Sequence, residues 1–257
     1  MFAQAVSIGN GARIPLVGLG TWALRGRSGQ GVMRRALDVG YRHLDTARVY
    51  RNEEEVGRAV RDSGIAREDV FITTKLPPDR AGRARETLSA SLADLDTEYV
   101  DLWLIHWPPG GASPETWREL VAARQEGRAR AVGVSNYSIA QIDQLIESSG
   151  EAPAVNQVKW SPSLHDPVEL AAHRERGIVL EGYSPFKTTS LRHPTLVEIA
   201  NAHGVTPAQV VVRWHVQHEI VVIPKTAHLD RLETNSDVEG FELNAAEMTR
   251  IDGMSKR

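Results

Sequence analysis

Short apolar runs set off by glycine and proline alternate with longer amphipathic segments along almost the whole chain. The opening differs. QAVSI, the turn-like GNGAR and IPLVGLG predict a small hairpin, because Asn-Gly suits a two-residue β-turn. A longer strand is expected over 16–20 and a helix over 30–39. Further strands are predicted over 42–45, 70–75, 101–106, 129–135, 154–159, 178–183 and 220–224. Helices are predicted over 53–62, 80–95, 114–126, 139–148, 167–176, 194–203 and 207–218, with a last one starting near Leu229. Leu88, Leu92 and Leu95 fall on one side of the 80–95 helix. DLWLIH is the most apolar short run and reads as a buried strand. Eight strands, each followed by helix, imply a parallel sheet covered by helices. At this length eight such units favour an α/β fold of the closed kind, a (β/α)₈ TIM barrel, over an open doubly wound sheet. The N-terminal β-hairpin is expected across its bottom, and residues 1–257 are expected to form this one domain.

The strand ends sharpen that reading, because barrel active sites lie at the C-terminal ends of the strands. Those ends carry Asp45, Lys75, His106, Ser135 with Asn136, Gln157, Tyr183 and Lys225, after mostly apolar residues. Any one of them has an ordinary explanation as a cap, a surface ion or a hydrogen-bonded structural histidine. Repetition at one mouth does not. Tyr50 can enter the same space from the loop after the second strand. A tyrosine is a weak acid, and a nearby lysine ammonium eases its deprotonation. Asp45 can hold Lys75 by a charged hydrogen bond, and His106 can orient a substrate oxygen. The set suits proton donation to developing alkoxide charge. It contains no electron source, so the hydride calls for a nicotinamide cofactor.

Gly18-x-Gly20 after a strand invites a dinucleotide-fold reading. It is rejected because RGRSGQG follows where a helix should already have opened. The two glycines are expected instead to let the first strand pass close beside a ligand, with Trp22 over the mouth. A phosphate site is expected later, where Lys225 and Thr226 end the last strand and Arg231 and Asn235 follow, four apart on one helix face. Ser135, Asn136 and Gln157 suit a carboxamide, and Tyr183 can stack under an aromatic ring.

Composition narrows the remaining choices. There is no cysteine, which excludes disulfides, thiolate catalysis and cysteine-ligated metals and fits a cytoplasmic enzyme. A net charge of -3 gives no general pull toward nucleic acid or an anionic membrane. The start has no signal-peptide pattern and no run is long enough to span a bilayer. No metal is expected: His215 and His218 are three apart on a helix whose Val210, Val211, Val212 and Trp214 read as packing. A monomer binding a small carbonyl compound is expected, with no obligate protein partner. A slowly turning cofactor-sensing subunit would keep the same pocket.

GYRHLDTARVYRNEEEVG, the lysine ending FITTK, LWLIHWP, GVSNY, NQVKWSP, GYSPF and IPKTAHLDRLETN stand in the order and spacing of the aldo-keto reductases. The chain resembles that family over nearly its whole length, most of all short bacterial members such as the 2,5-diketo-gluconate reductases. The resemblance implies Asp45, Tyr50, Lys75 and His106 as the catalytic four, with Tyr50 as proton donor, and NADPH as cofactor. It implies Ser135, Asn136 and Gln157 at the carboxamide, Tyr183 on the nicotinamide ring, and Lys225, Thr226, Arg231 and Asn235 at the adenosine half, Lys225 and Arg231 nearest the 2'-phosphate. Thr21 and Asp45 join the expected cofactor contacts, and Trp22, Val49 and Trp107 are expected to line the substrate pocket. There are departures. Thr234 replaces a frequent glutamate, which loosens the expected grip on adenine. Lys159 and Ser161 stand where NQxExHP is usual. The loop after HWPP is short, and the chain ends soon after Met254, so the pocket is expected to be open and undemanding.

Overall fold

The computed structural model describes residues 4–9 and 11–255. Strands β1 (Ala5–Ser7) and β2 (Arg13–Pro15) form the antiparallel hairpin, with Val6 opposite Ile14. Gly9 and Gly11 both take the positive φ that the turn requires. Asn10, half of the Asn-Gly signal, lies outside the described residues.

The barrel strands are β3 (Leu19–Gly20), β4 (His43–Asp45), β5 (Phe71–Leu76), β6 (Val100–Ile105), β7 (Ala129–Ser135), β8 (Val155–Lys159), β9 (Val179–Tyr183) and β10 (Val221–Ile223). They pair in chain order and all in parallel. The ring closes where Val17 bridges Val222, with Gly18 N donating to Val222 O at 2.9 Å and Val222 N to Leu16 O at 2.8 Å. The hairpin covers the bottom: Ala12 and Arg13 share a surface depression with Phe71, Asp101 and Arg130, at the N-terminal ends of β5, β6 and β7.

The helices are α1 (Gly26–Asp38), α2 (Glu53–Ser63), α3 (Ala84–Leu95), α4 (Pro114–Gln125), α5 (Ile139–Ser149), α6 (Pro167–Glu175), α7 (Pro194–His203), α8 (Pro207–Gln217), α9 (Leu229–Ser236) and α10 (Ala245–Asp252). Three differ from expectation. α1 opens at Gly26, so RGRSGQG is helical, and a late helix start is not what separates this chain from a dinucleotide fold. The closed barrel is. A 3₁₀ turn over Pro78–Arg83 takes the first part of the expected 80–95 helix, after the Pro77-Pro78 pair. α10 was not foreseen, although Asn244 and Glu247 form a reciprocal capping box at its start.

Gly18 and Gly20 both let the barrel close, and Gly20 also borders the cavity at its mouth. A Cβ on Gly18 would fall 2.5 Å from the His43 ring, and one on Gly20 2.9 Å from Ile223 O. Trp103, Trp117, Trp160 and Trp214 are essentially fully buried in the helix–sheet layer. Trp117 and Trp214 find indole N–H partners in Ser149 and Asp252. Among the described residues no helix is long and apolar enough to cross a membrane.

Candidate active site

Side chains alternate across a strand, and that alternation places the charged ones. Asp45, two residues after His43, points into the barrel. Lys75, two residues after Thr73, does the same, whereas Thr74 points outward to Glu53 of α2 at 2.6 Å. Lys75 is fully buried. Its Nζ donates to both Asp45 oxygens at 2.6 and 2.8 Å and to Thr46 O at 2.7 Å. Gln157 Nε2 reaches across the barrel to Asp45 Oδ2 at 2.7 Å. Burial disfavours the Lys75 ammonium, but Asp45, with Tyr50 and Glu181, more than offsets this and holds its pKa above the usual lysine range. Burial pushes the Asp45 carboxyl up, while Lys75 and Gln157 draw it back.

Tyr50 sits in a 3₁₀ turn (Arg48–Tyr50) between β4 and α2. Asn52, missed in the sequence, pins that loop. It is buried, accepts from Thr46 Oγ1 at 2.8 Å and donates to Thr21 O and Leu24 O at 2.9 and 2.8 Å. Arg25 Nε donates to Tyr50 O. The Tyr50 ring centroid lies 5.3 Å from Lys75 Nζ and meets the His106 ring edge-on at 5.8 Å. Burial raises the Tyr50 pKa, and Lys75 only partly counteracts it, so the net shift is upward. The expected ease of deprotonation is therefore outweighed in the free protein, where Tyr50 is a neutral phenol. His106 is held down to about 3 by burial and by Lys75, which makes it a neutral imidazole.

These groups form the floor of an open cavity of about 470 Å³. Gly20, Trp22, Asp45, Tyr50, His106 and Trp107 line it on one side. Ser135, Asn136, Gln157, Tyr183, Ser184, Pro185, Phe186, Lys187, Ile223 and Lys225 complete it. Trp22 and Trp107 are about half exposed at the rim, with Lys187 Nζ 4.8 Å from the Trp22 ring centroid. Val49 faces a neighbouring depression with Arg48, Arg51 and Pro77. Thr21 is fully buried, and its hydroxyl donates to Asp45 O, so it steadies Asp45 and does not face the cavity.

One wall is a chain of hydrogen bonds. Ser135 Oγ donates to Gln157 O, Asn136 Nδ2 to Ser135 Oγ and His106 O, and Tyr183 OH to Asn136 Oδ1 at 2.9 Å. Asn136 holds a left-handed backbone, φ +63, which asparagine tolerates better than most residues. Beyond the cavity lining, Thr226 Oγ1 accepts from His228 N just before α9. Asn235 is buried on α9, and its amide makes no hydrogen bond within the described residues. Lys225 and Arg231 are both exposed, and neither side chain has an ion pair or hydrogen bond among the described residues. Two unpaired cations beside an unpaired amide suit a phosphorylated ligand.

Beneath the Lys75–Asp45 pair lies a carboxyl that the strand pattern did not single out. Glu181 on β9 is fully buried, and neither oxygen has a hydrogen-bond partner. Its Oε1 is 3.7 Å from His43 Nε2, which contacts Thr73 Oγ1 at 3.1 Å. Burial and repulsion from Asp45 push Glu181 up to about 8, and burial with Lys75 holds His43 down to about 3. Both are neutral near pH 7.

The Aldo/keto reductase family model matches residues 16–256. The chain belongs to the aldo/keto reductase family. It is an oxidoreductase of a family whose carbonyl chemistry uses NADPH. It is 43% identical over 257 residues to 2,5-diketo-D-gluconic acid reductase B from Corynebacterium sp., covering 98% of this chain and 93% of that one. The crystal structure of an aldo/keto reductase from Brucella melitensis superposes with TM-score 0.94 at 37% identity, over 98% of this chain and 99% of the other. A Bombyx mori aldo-keto reductase solved in complex with NADP gives TM-score 0.92 at 31% identity, over 99% and 94%.

Against this aldo/keto reductase background, the departures in sequence fall at the periphery. Thr234 turns its hydroxyl back to Asp230 O within α9. Lys159 is exposed at the end of β8, and buried Ser161 accepts from Thr188 Oγ1 at 2.7 Å.

Proposed function

We propose that the protein reduces aldehyde or ketone carbonyls to alcohols, with NADPH as reductant and Tyr50 as proton donor. The observation that carries this is the seating of Tyr50 on the floor of an open cavity, within reach of a buried lysine–aspartate pair and a neutral histidine. Bound NADPH supplies the hydride. The chain's own residues handle the proton and the oxygen.

A carbonyl oxygen placed between Tyr50 and His106 meets a phenol O–H and an imidazole N–H. As hydride arrives, negative charge grows on that oxygen, and Tyr50 releases its proton to it. Phenolate charge then develops beside the Lys75 ammonium, which is already fixed by Asp45 and Thr46 O and needs no reorganisation. Gln157 and Thr21 keep Asp45 aligned. Burial keeps Tyr50 protonated until substrate accepts the proton, which suits an acid better than a standing phenolate.

Ser135, Asn136 and Gln157 are the groups suited to a nicotinamide carboxamide, with Tyr183 beneath the ring. Lys225, Thr226, Arg231 and Asn235 suit the adenosine phosphate half. Trp22 and Trp107 give an apolar rim to the substrate side, and the short Trp107–Ser113 connection leaves that side open. A rim with few polar contacts discriminates weakly between carbonyls. The substrate range is therefore broad, covering sugar-derived diketones, small dicarbonyls and aromatic aldehydes with weak KM values. NADPH consumption across a panel of these compounds tests the proposal. Turnover of several is expected. No consumption with any of them would overturn it, and one substrate far ahead of its close analogues would overturn the open-pocket reading.

A further inference from the structure

On the outer face of the barrel, away from the mouth, three polar side chains converge from three elements. His165 follows a 3₁₀ turn (Pro162–Leu164) after β8, His218 caps the C-terminus of α8, and Asp252 ends α10. One donor atom from each lies within 4.8 Å of the others. Asp252 Oδ1 is 2.9 Å from His218 Nε2 and 3.7 Å from His165 Nε2. The two imidazoles are near parallel, 28° apart with centroids at 5.2 Å. The sequence spacing paired His218 with His215. The structure parts them, since His215 is fully buried with its Nδ1 on Val211 O.

His165 is the informative member. It is only 8% exposed, yet neither ring nitrogen has a hydrogen bond among the described residues, and Nδ1 is buried without a partner. An unsatisfied buried polar group is costly, so such a ring normally finds one. Its Nε2, also without a hydrogen bond, faces the His218 ring and lies 3.7 Å from the Asp252 carboxylate, so a cation there would satisfy Nε2, while Nδ1 stays unpartnered in either case.

We propose that His165, His218 and Asp252 form a three-ligand site for a divalent transition cation of the zinc class, which fastens α10 to the end of α8 and the loop after β8. Tetrahedral bonds of about 2.0–2.1 Å put neighbouring donor atoms about 3.3–3.4 Å apart. The 2.9 Å between His218 Nε2 and Asp252 Oδ1, a hydrogen bond that a cation would replace, and the 3.7 Å between His165 Nε2 and Asp252 Oδ1 lie on either side of that value, with the two imidazole nitrogens within 4.8 Å. Two imidazoles and one carboxylate suit zinc, whereas calcium and magnesium want oxygen alone. Trp214 Nε1 donates to Asp252 Oδ1 at 2.8 Å and orients the carboxylate, as outer partners of metal ligands do. The Asp252 side chain is 31% exposed, which leaves an entry path and room for a water as fourth ligand. Asp166 and Arg174 flank His165 with opposite charges, so the Asp252 carboxylate sets the sign that a cation meets.

The test uses tag-free protein stripped with a chelator. Cobalt is titrated with visible absorption as readout, and zinc is titrated against a chromogenic competitor. One equivalent is expected, with the intense d–d bands of a tetrahedral cobalt site. His165→Ala and His218→Gln should each weaken zinc at least about tenfold, since each removes one of three ligands. Zinc should raise the melting temperature of wild type and of neither variant, and kcat should not depend on it. Should His165→Ala fail to fold, His218→Gln and Asp252→Asn carry the same comparison from half-buried positions. Absence of stoichiometric binding in wild type, or binding unchanged by the substitutions, overturns the site and leaves the three residues as a hydrogen-bonded cluster.

Discussion

Tyr50, half-buried at the cavity floor, and Glu181, fully buried beneath it, are two acids with different fates, and each carries a prediction. Tyr50→Phe keeps the ring against His106 and removes the proton donor. We expect kcat on an aldehyde to fall about 10²-fold or more with the circular dichroism spectrum unchanged. Near-wild-type turnover would take Tyr50 out of its role. Glu181 concerns stability. It titrates from 4.5 when unexposed to the fold's interior and near 8 within it, so the folded state holds the proton more tightly. The stability it contributes is complete below about pH 4.5 and is lost as pH rises through 8. The melting temperature of Glu181→Gln minus that of wild type should therefore climb between pH 4.5 and 8, by about 3 °C or more, and level off above. A flat difference would mean that Glu181 is ionised in the fold at all of these values. Asp45, Lys75 and His106 were legible in the sequence because they end apolar runs. Glu181 was not, because LEGY reads as an ordinary strand in which a glutamate faces solvent. Its one signal was its period-two partnership with Tyr183, which forces it inward.

At the level of elements, α9 is where we expect cofactor choice to be set. Arg231 stands on its first turn, exposed and unpaired, with Lys225 just upstream. NADPH differs from NADH by one 2'-phosphate, and a guanidinium fork can grip two of its oxygens. A charge-assisted hydrogen bond is worth about 1.5–3 kcal/mol, so Arg231→Ala should weaken NADPH by roughly 10- to 150-fold and NADH far less. Fluorescence titration of both cofactors decides. Equal weakening of the two, or of neither, would remove Arg231 from the phosphate site. Thr234, whose hydroxyl turns back to Asp230 O, should lower the affinity for both cofactors alike without reversing the preference. Periodicity found all eight barrel strands and nine of the ten helices because each buries one broad apolar face. It failed at α10, a short helix that buries only Ile251, where the Asn244–Glu247 capping box was the available sign. It also ran α3 back through Pro78–Arg83, because the charged residues there carry no period, and dated α1 late because three glycines, Gly26, Gly29 and Gly31, sit in its first turns.

The closed barrel as a whole holds its buried histidines neutral at some expense in acid. Packing polar side chains into the barrel and beneath its helices leaves His43 and His106 held down to about 3 and His215 on α8 to about 4, chiefly by burial. In the unfolded chain all three take up protons near 6.5. A group with a depressed folded pKa lends stability above its unfolded value and loses it as pH falls toward the folded one. Glu181 acts in the opposite sense over part of this window, since the fold already binds its proton below about 8. At pH 6.5 each of these imidazoles in the unfolded chain holds about half a proton that the fold does not, approaching one each by about pH 5, against the proton that Glu181 keeps in the fold. The balance favours unfolding, on the order of 1 kcal/mol per pH unit. Urea unfolding in the presence of chelator, measured at intervals from pH 6.5 to 5, should show a midpoint that drops steadily as pH falls. A midpoint that stays level or rises would mean that these imidazoles are protonated inside the barrel, and His106 could not then be the neutral partner that orients a carbonyl.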